Sequence, residues 1–180
     1  MQLANQLFQV KGLDYCIRSA EIQDAAQLEK VRLQIDGETE NMDRERGEAY
    51  LDAAAFERLI EEDAKSSRNL FLVADVDGQI AGFSRCEGNA LRRTEHQVEF
   101  GVGVLKEYWG YRIGRKLLEA SIHWVDAQEI KKMNLKVLEK NEKAIELYAQ
   151  CGFRVEGTLK MDKRLADGNY YDTVVMGRIR

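Results

Sequence analysis

Apolar residues recur at helical spacing in the segments 22–35 and 56–64, which predicts a helix in each. Asp77-Gly78, between two strand patterns, predicts a tight hairpin. Residues 1–12 follow neither pattern, and we interpret them as a leader or a short additional helix. The strand patterns of this half of the chain occupy residues 13–20, 69–76, 79–88 and 97–105.

The second half of the chain predicts a helix, a short strand, another helix and a closing hairpin. Residues 114–128 have helical periodicity, and 133–139 form the short strand. The next helix begins at Asn141, a good N-cap residue, and ends at Gly152, which readily takes the left-handed conformation. The predicted order is β-α-α-β-β-β-α-β-α-β-β, a single domain over residues 1–180. The closing hairpin has strands 153–161 and 169–179, joined across Asp167-Gly168.

Composition narrows the class of protein. The chain has 180 residues, of which 44% are hydrophobic and 32% charged, as expected for one soluble globular domain. Lys and Arg number 27 against 31 Asp and Glu, so the net charge of -4 provides no general basic field and argues against a nucleic-acid partner. No stretch is apolar enough to span a bilayer, so we expect a cytoplasmic protein without a membrane partner.

Cysteine and histidine are too scattered for a metal centre or a disulfide framework. Cys16, Cys86 and Cys151 are widely spaced, and neither His96 nor His123 has a cysteine near it in sequence. We therefore expect no metal, and we interpret the cysteines as small buried side chains.

The stretch VLKEYWGYRIGRKLL, which begins at Val104, has an arrangement that proteins use to bind phosphate. A strand ends there, a loop carries Gly110 and Gly114, and a helix follows. The first N–H groups of a helix have no partner within the helix and attract anions, while glycine permits a close approach. Arg112 and Arg115 add positive charge at the same place. The alternative is a tight strand-to-helix turn without a ligand.

The strand before this loop has two unlike faces. One face is apolar, and the other carries a carboxylate followed by two glycines, whose backbone no side chain covers. Glycine inside a strand indicates a bulge or the close approach of a ligand. The second face carries Glu99, Gly101 and Gly103, and the apolar face carries Val98, Phe100, Val102 and Val104.

Two separated segments resemble the GNAT superfamily of N-acetyltransferases. The glycine loop is similar to a pattern commonly written Q/R-x-x-G-x-G/A, and NEKAIELYAQCGF is similar to N-x-x-A-x-x-L-Y-x-x-x-G-F. The loop departs from the pattern, since Trp109 takes the Q/R position and Arg112 that of the first glycine. A positive φ costs arginine on the order of 1 kcal/mol more than glycine. The second motif is matched at Asn141, Ala144, Leu147, Tyr148, Gly152 and Phe153.

The resemblance implies an α/β (α+β) fold, with a mixed, mostly antiparallel central sheet that contains a splayed central strand pair and is flanked by helices. It also implies acetyl-CoA as co-substrate, in the cleft between the splayed strands. The pantetheine arm would pair with the backbone of Val102, Gly103 and Val104. Asn141 would contact the pantetheine or adenosine arm, or only cap its helix. The loop around the pyrophosphate would comprise Trp109, Gly110, Tyr111, Arg112, Ile113, Gly114 and Arg115.

The implied reaction is direct attack of a primary amine on the thioester in a ternary complex. A lysine-like amine of pKa ~10.4 is neutral only about one part in two thousand at pH 7, so a base is needed. Glu99 is our candidate, with His96 and Glu95 as alternatives, because members of the family differ in this residue. Tyr148 matches the family's acid for the leaving thiolate, and its alternative role is a core aromatic. No cysteine is placed to carry an acyl group.

The sequence leaves the acceptor open. Our first hypothesis is a small-molecule amine, such as a polyamine or an amino acid. The alternatives are a protein N-terminus or lysine, and a non-catalytic acyl-CoA-binding sensor module. The acidic stretch from Asp36 to Glu48 mildly favours a cationic acceptor, although such a charge run is more often a solvated face. By analogy, the open edges of such a sheet are compatible with a homodimer.

Overall fold

A computed structural model describes residues 3–180, which form eight strands and four α-helices. The helices are α1 (Ala25–Glu38), α2 (Ala53–Lys65), α3 (Ile113–Ala127) and α4 (Glu142–Gln150). The strands are β1 (Gln6–Val10), β2 (Leu13–Ser19), β3 (Leu70–Val76), β4 (Gln79–Gly88), β5 (Gln97–Val104), β6 (Lys132–Leu138), β7 (Arg154–Arg164) and β8 (Tyr170–Ile179).

All eight strands belong to one sheet, in the order β1-β2-β3-β4-β5-β6-β8-β7. Neighbouring strands are antiparallel, except for β5 and β6, which are parallel. Parallel neighbours need a long crossover connection, and α3 lies within it. The mixed, mostly antiparallel sheet implied by the resemblance is confirmed.

The interpretation of residues 1–12 as a leader or an additional helix is wrong for the part that the structure describes, from residue 3 onward. Gln6–Val10 form the edge strand β1, which pairs with β2 across a turn at Lys11 and Gly12. The turn residues have φ of 52° and 82°, and positive φ at both positions suits the twist of a tight hairpin. Leu7 is 83% exposed, so β1 lacks a clear apolar alternation.

The central strands β5 and β6 pair over a short distance and then separate. Gln97–Glu99 pairs with Lys132–Asn134, and among the described residues no later part of β5 pairs with β6. β4 nevertheless follows β5 as far as Val104. A wedge-shaped gap therefore opens between β5 and β6 beyond Glu99, which confirms the predicted splayed pair.

Helices cover both faces of the sheet. On one face, Leu117 of α3 and Tyr148 of α4 belong to a buried cluster that includes Leu72 of β3. On the other face, a second cluster contains Leu28 of α1 and Phe56 of α2. The gap between β5 and β6 thus connects a layer formed by α3 and α4 with a layer formed by α1 and α2. No helix within residues 3–180 has the length and apolarity needed to cross a bilayer.

Candidate active site

Backbone groups of β5 line one side of the gap. The Leu105 N–H donates to the Ala81 carbonyl over 2.9 Å, toward the β4 side. Because backbone groups alternate in direction along a strand, Gly103 also directs its N–H and C=O toward β4, while Val102 and Val104 direct theirs into the gap. Gly103, which we expected to pair with the pantetheine arm, is therefore turned away from the gap.

The glycines of β5 have different surroundings on the face they share with Glu99. A Cβ on Gly103 would lie 3.2 Å from Ile35 Cδ1, so glycine there allows α1 to pack closely. A Cβ on Gly101 would have no atom within 4 Å. Arg85 of β4 lies opposite Gly101 in the sheet. The sheet therefore has an open area over Gly101, next to the point where the gap begins.

The loop after β5 folds back over the end of that strand. It contains a short 3-10 helix, Lys106–Tyr108, followed by Trp109, whose indole N–H donates to the Val104 carbonyl over 2.9 Å. Trp109 is 48% exposed, so much of a large aromatic surface stays uncovered at the mouth of the gap. Gly110 follows with φ of 89°, and the Tyr111 carbonyl accepts a hydrogen bond from the Tyr15 hydroxyl over 3.2 Å.

The N-terminus of α3 is not capped by a side chain. Arg112 stands at the N-cap with φ of 62°, the left-handed conformation that glycine would adopt more cheaply. The Lys116 N–H donates to the Arg112 carbonyl over 2.9 Å, which begins the helical hydrogen-bond pattern. The N–H groups of Ile113, Gly114 and Arg115 precede it and have no helical acceptor. They can serve as donors to an anion at the positive end of the helix.

Gly114 is not required by the fold of the protein itself. It lies in the first turn of α3 without a positive φ, and a Cβ there would have Val104 Cγ2 at 3.8 Å as its nearest neighbour. That distance is an ordinary van der Waals contact. A glycine with space for a methyl group, beside unpaired N–H groups, fits a phosphate that must approach the backbone closely.

Tyr148 is held in the core by α4. The helix begins at Asn141, whose side chain accepts a hydrogen bond from the Ala144 N–H over 3.3 Å, so the capping role of Asn141 is present. Tyr148 is 8% exposed, and its ring centroid lies 5.9 Å from that of Phe153. Burial raises the pKa of Tyr148 to about 12, so the hydroxyl keeps its proton at neutral pH. Tyr148 therefore fits both roles considered for it: its ring packs in the core, and its hydroxyl carries a proton that it can donate in a hydrogen bond.

Glu99 lies where β5 and β6 separate. Its side chain is 60% exposed, and a carboxylate oxygen lies 3.6 Å from Lys136 Nζ on β6. Asn134, opposite Glu99, donates from its amide to Gln97 over 2.8 Å, while its own carbonyl oxygen is buried without a partner. Asn134 was not among the predicted site residues, although a lone amide between two apolar residues of a strand, Met133 and Leu135, is a signal for it.

The other proposed bases, Glu95 and His96, precede Glu99 in sequence and lie before the segment in which β5 pairs with β6. The Glu95 carboxylate forms an ion pair with Arg68 at 3.6 Å. The His96 carbonyl accepts hydrogen bonds from the N–H groups of Lys131 and Lys132, where the parallel pairing of β5 and β6 starts. Of the three candidates, only Glu99 stands at the last pair before the strands separate.

The acidic stretch from Asp36 to Glu48 uses its carboxylates within the protein. Glu38 accepts from the Lys106 N–H over 2.7 Å, and Glu40 accepts from the Ala166 N–H over 2.8 Å. The same stretch forms two ion pairs, Asp36 with Arg44 and Asp43 with Lys163. It therefore connects the loop after β5 to the β7–β8 hairpin, and these carboxylates give a cationic acceptor little to bind. Within residues 3–180, no His, Cys, Asp and Glu side chains are grouped to hold a metal ion.

The sequence matches the model of the Acetyltransferase (GNAT) family over residues 35–153. An L-amino acid N-acetyltransferase, AaaT, of Escherichia coli (strain K12) is 30% identical over 114 residues, which cover 61% of this chain and 67% of that relative. A GNAT-family acetyltransferase from Streptococcus pneumoniae has a similar structure, with a TM-score of 0.89, 28% identity, and coverage of 92% of this chain and 99% of that one. The yncA structure from Salmonella typhimurium, solved with acetyl-CoA, shares the fold at a TM-score of 0.79 and 21% identity, over 91% and 92% of the two chains.

Proposed function

We propose that this chain, which belongs to the GNAT family of acetyltransferases, transfers the acetyl group of acetyl-CoA to the primary amine of a small molecule. Amino acids are the first acceptor class to test. The observation that carries this proposal is the gap between β5 and β6, which leads to the uncapped N-terminus of α3. A long ligand with an amide-containing arm and a pyrophosphate fits such a path.

The residues along this path suit the two parts of acetyl-CoA. The backbone groups of Val102 and the N–H of Val104 would pair with the amides of the pantetheine arm as a neighbouring strand does, while the Val104 carbonyl already accepts from Trp109. The N–H groups of Ile113, Gly114 and Arg115 would donate to the pyrophosphate. Fixing both parts would hold the thioester near the start of the gap, beside Glu99 and the open area over Gly101.

The chemistry needs a proton to leave the amine before attack. Glu99 would take it, directly or through a water, and a positioned base contributes roughly 10² to 10⁴ in rate. The amine nitrogen then bonds to the acetyl carbon and loses its second proton to solvent, the carbon–sulfur bond breaks, and the electron pair stays on the CoA sulfur. The products are an amide and the CoA thiolate.

Tyr148 would assist the departure of the sulfur by donating a hydrogen bond. Its pKa is about 12, whereas a thiol has a pKa near ~8.5. Complete proton transfer from this phenol to the thiolate is therefore uphill by about 5 kcal/mol. Donation without transfer stabilises the charge on sulfur and leaves Tyr148 protonated for the next cycle.

An amino-acid acceptor is supported by the relative's function and by the charges at the site. The similar protein AaaT is named for acting on L-amino acids. Glu99 and Lys136 place a carboxylate and an ammonium 3.6 Å apart, a pattern that complements the ammonium and carboxylate of a zwitterion. The acidic stretch gives little support for a polyamine, since its carboxylates at Glu38 and Glu40 already accept backbone hydrogen bonds.

Release of free thiol from acetyl-CoA, measured with separate acceptor pools, tests the proposal. We expect L-amino acids to accelerate release, and the corresponding amino-acid amides, which lack the carboxylate, to be poorer acceptors. Acceleration only by polyamines, or only by peptides with free N-termini or lysines, would show that the acceptor class is wrong. No acceleration in any pool, together with calorimetric binding of acetyl-CoA, would favour a non-catalytic binding module.

A further inference from the structure

We propose that Lys11, in the turn of the β1–β2 hairpin, binds a phosphate group of CoA, so that this hairpin is part of the co-substrate site. The inference rests on the proposed use of acetyl-CoA. It concerns a residue outside both sequence motifs, on a hairpin that the sequence did not predict.

The Lys11 ammonium reaches the loop that precedes α3. Its Nζ lies 3.7 Å from the position that a Cβ on Gly110 would occupy. Gly110 stands two residues before Arg112, the N-cap of α3. The ammonium therefore lies close to the backbone that leads directly into the unpaired N–H groups of the helix.

Two contacts join the hairpin to the loop and to α3, and a third holds its two strands together. The Tyr15 hydroxyl donates to the Tyr111 carbonyl over 3.2 Å. The Phe8 ring centroid lies 5.5 Å from that of Tyr15, and Lys116 Nζ on α3 lies 5.1 Å from the Phe8 centroid. β1 and β2 thus contact both the loop and the helix. The fold itself therefore fixes the position of the turn that carries Lys11.

The charges around the helix N-terminus are unbalanced. Arg115 and Lys116 both lie near Glu119, at 3.9 and 2.7 Å. Among residues 3–180, no carboxylate forms an ion pair with Lys11 or Arg112. Two unpaired cations beside the positive end of a helix repel one another, and an anion with several charges relieves that repulsion. CoA offers its pyrophosphate and its 3′-phosphate, both of which attract an ammonium.

Calorimetric titration with CoA and with 3′-dephospho-CoA tests the role of Lys11. We expect Lys11→Gln to weaken CoA binding about tenfold, as loss of one charge-assisted contact would, and Lys11→Arg to retain most of the affinity. Lys30→Gln, which removes an exposed lysine of α1, is the matched control and should bind as the wild type does. A loss that persists with 3′-dephospho-CoA assigns Lys11 to the pyrophosphate, and a loss that disappears assigns it to the 3′-phosphate.

Ionic strength separates a charge contact from a packing effect. The difference between Lys11→Gln and the wild type should shrink as salt rises from about 0.05 M to about 0.5 M, because screening weakens exposed charge interactions. Equal affinities of the two proteins for CoA at low salt, with equal thermal midpoints, would overturn the inference. A wild-type protein that does not bind CoA would instead overturn the proposed function.

Discussion

Replacing Gly114 with alanine should stabilise the free protein while weakening its binding of CoA. Gly114 lies in the first turn of α3, and the added Cβ would have Val104 Cγ2 at 3.8 Å as its nearest neighbour, so alanine fits without strain. Glycine is less favourable than alanine in a helix by about 0.5–1 kcal/mol. We therefore expect the free energy of unfolding to rise by about that amount, and the thermal midpoint by about 1–4 °C.

The effect on CoA binding should have the opposite sign. The new methyl group would lie where the pyrophosphate approaches the N–H groups of Gly114 and Arg115. Loss of one charge-assisted hydrogen bond costs about 1.5–3 kcal/mol, which corresponds to a Kd roughly 10 to 100 times higher. Thermal unfolding without ligand and calorimetric titration with CoA measure the two effects separately. Gly114→Asp, which also adds a negative charge, should abolish binding.

Gly157 of β7 provides the matched control for this pair of measurements. A Cβ at Gly157 would also have no close neighbour, since nothing lies within 4 Å of its position. Gly157→Ala should leave the affinity for CoA unchanged. If Gly114→Ala binds CoA as tightly as the wild type does, the pyrophosphate does not lie against the first turn of α3, and our placement of the loop is refuted.

Substitutions at Tyr148 and Glu99 test the chemistry. Tyr148→Phe should lower kcat about 10- to 100-fold and leave CoA affinity within about twofold, because the ring still packs while the hydrogen bond to sulfur is lost; kinetics and calorimetry would show equal losses of both if the role is packing alone. The same variant should alter the pH dependence of stability. Because the pKa of Tyr148 is about 12 in the folded protein and about 10 in the unfolded chain, the stability it contributes is complete below pH 10 and decreases by about 3 kcal/mol as pH rises through 12. Denaturant unfolding should show this decrease in the wild type relative to Tyr148→Phe, and parallel curves would contradict it. Glu99→Gln should lower kcat roughly 10²- to 10⁴-fold, and an unchanged kcat would exclude Glu99 as the base.

Local signals were enough to predict most of the fold. The Asp77-Gly78 turn, the N-cap at Asn141 and the stop at Gly152 each have a direct physical meaning, and the structure contains all three. The left-handed conformation of Arg112 also agrees with the position it takes in the loop pattern. Such features depend on residues close in sequence, so the chain alone specifies them.

Features that depend on distant segments were not predictable in the same way. β1 exists because β2 offers it a partner, and its exposed Leu7 gives no apolar alternation. The Gly103 N–H and C=O point toward β4 because of the register between β4 and β5, and that register cannot be read from the sequence. Glu38 and Glu40 look like solvated charges in sequence, yet backbone N–H groups 68 and 126 residues away along the chain donate to them.

Within residues 3–180, the sheet consists of two groups of strands, here called leaves, which are joined only by the short pairing of β5 with β6. The first leaf contains β1 to β5, which pair in chain order, and the second contains β6, β8 and β7. Contacts between segments close in sequence form quickly, and the N-terminal part of a chain leaves the ribosome first. The five strands of the first leaf can therefore pair once residue 104 has emerged, and α3 can cover them before any strand of the second leaf exists. The two leaves would then join through the short pairing of β5 with β6, next to the gap in which acetyl-CoA would bind.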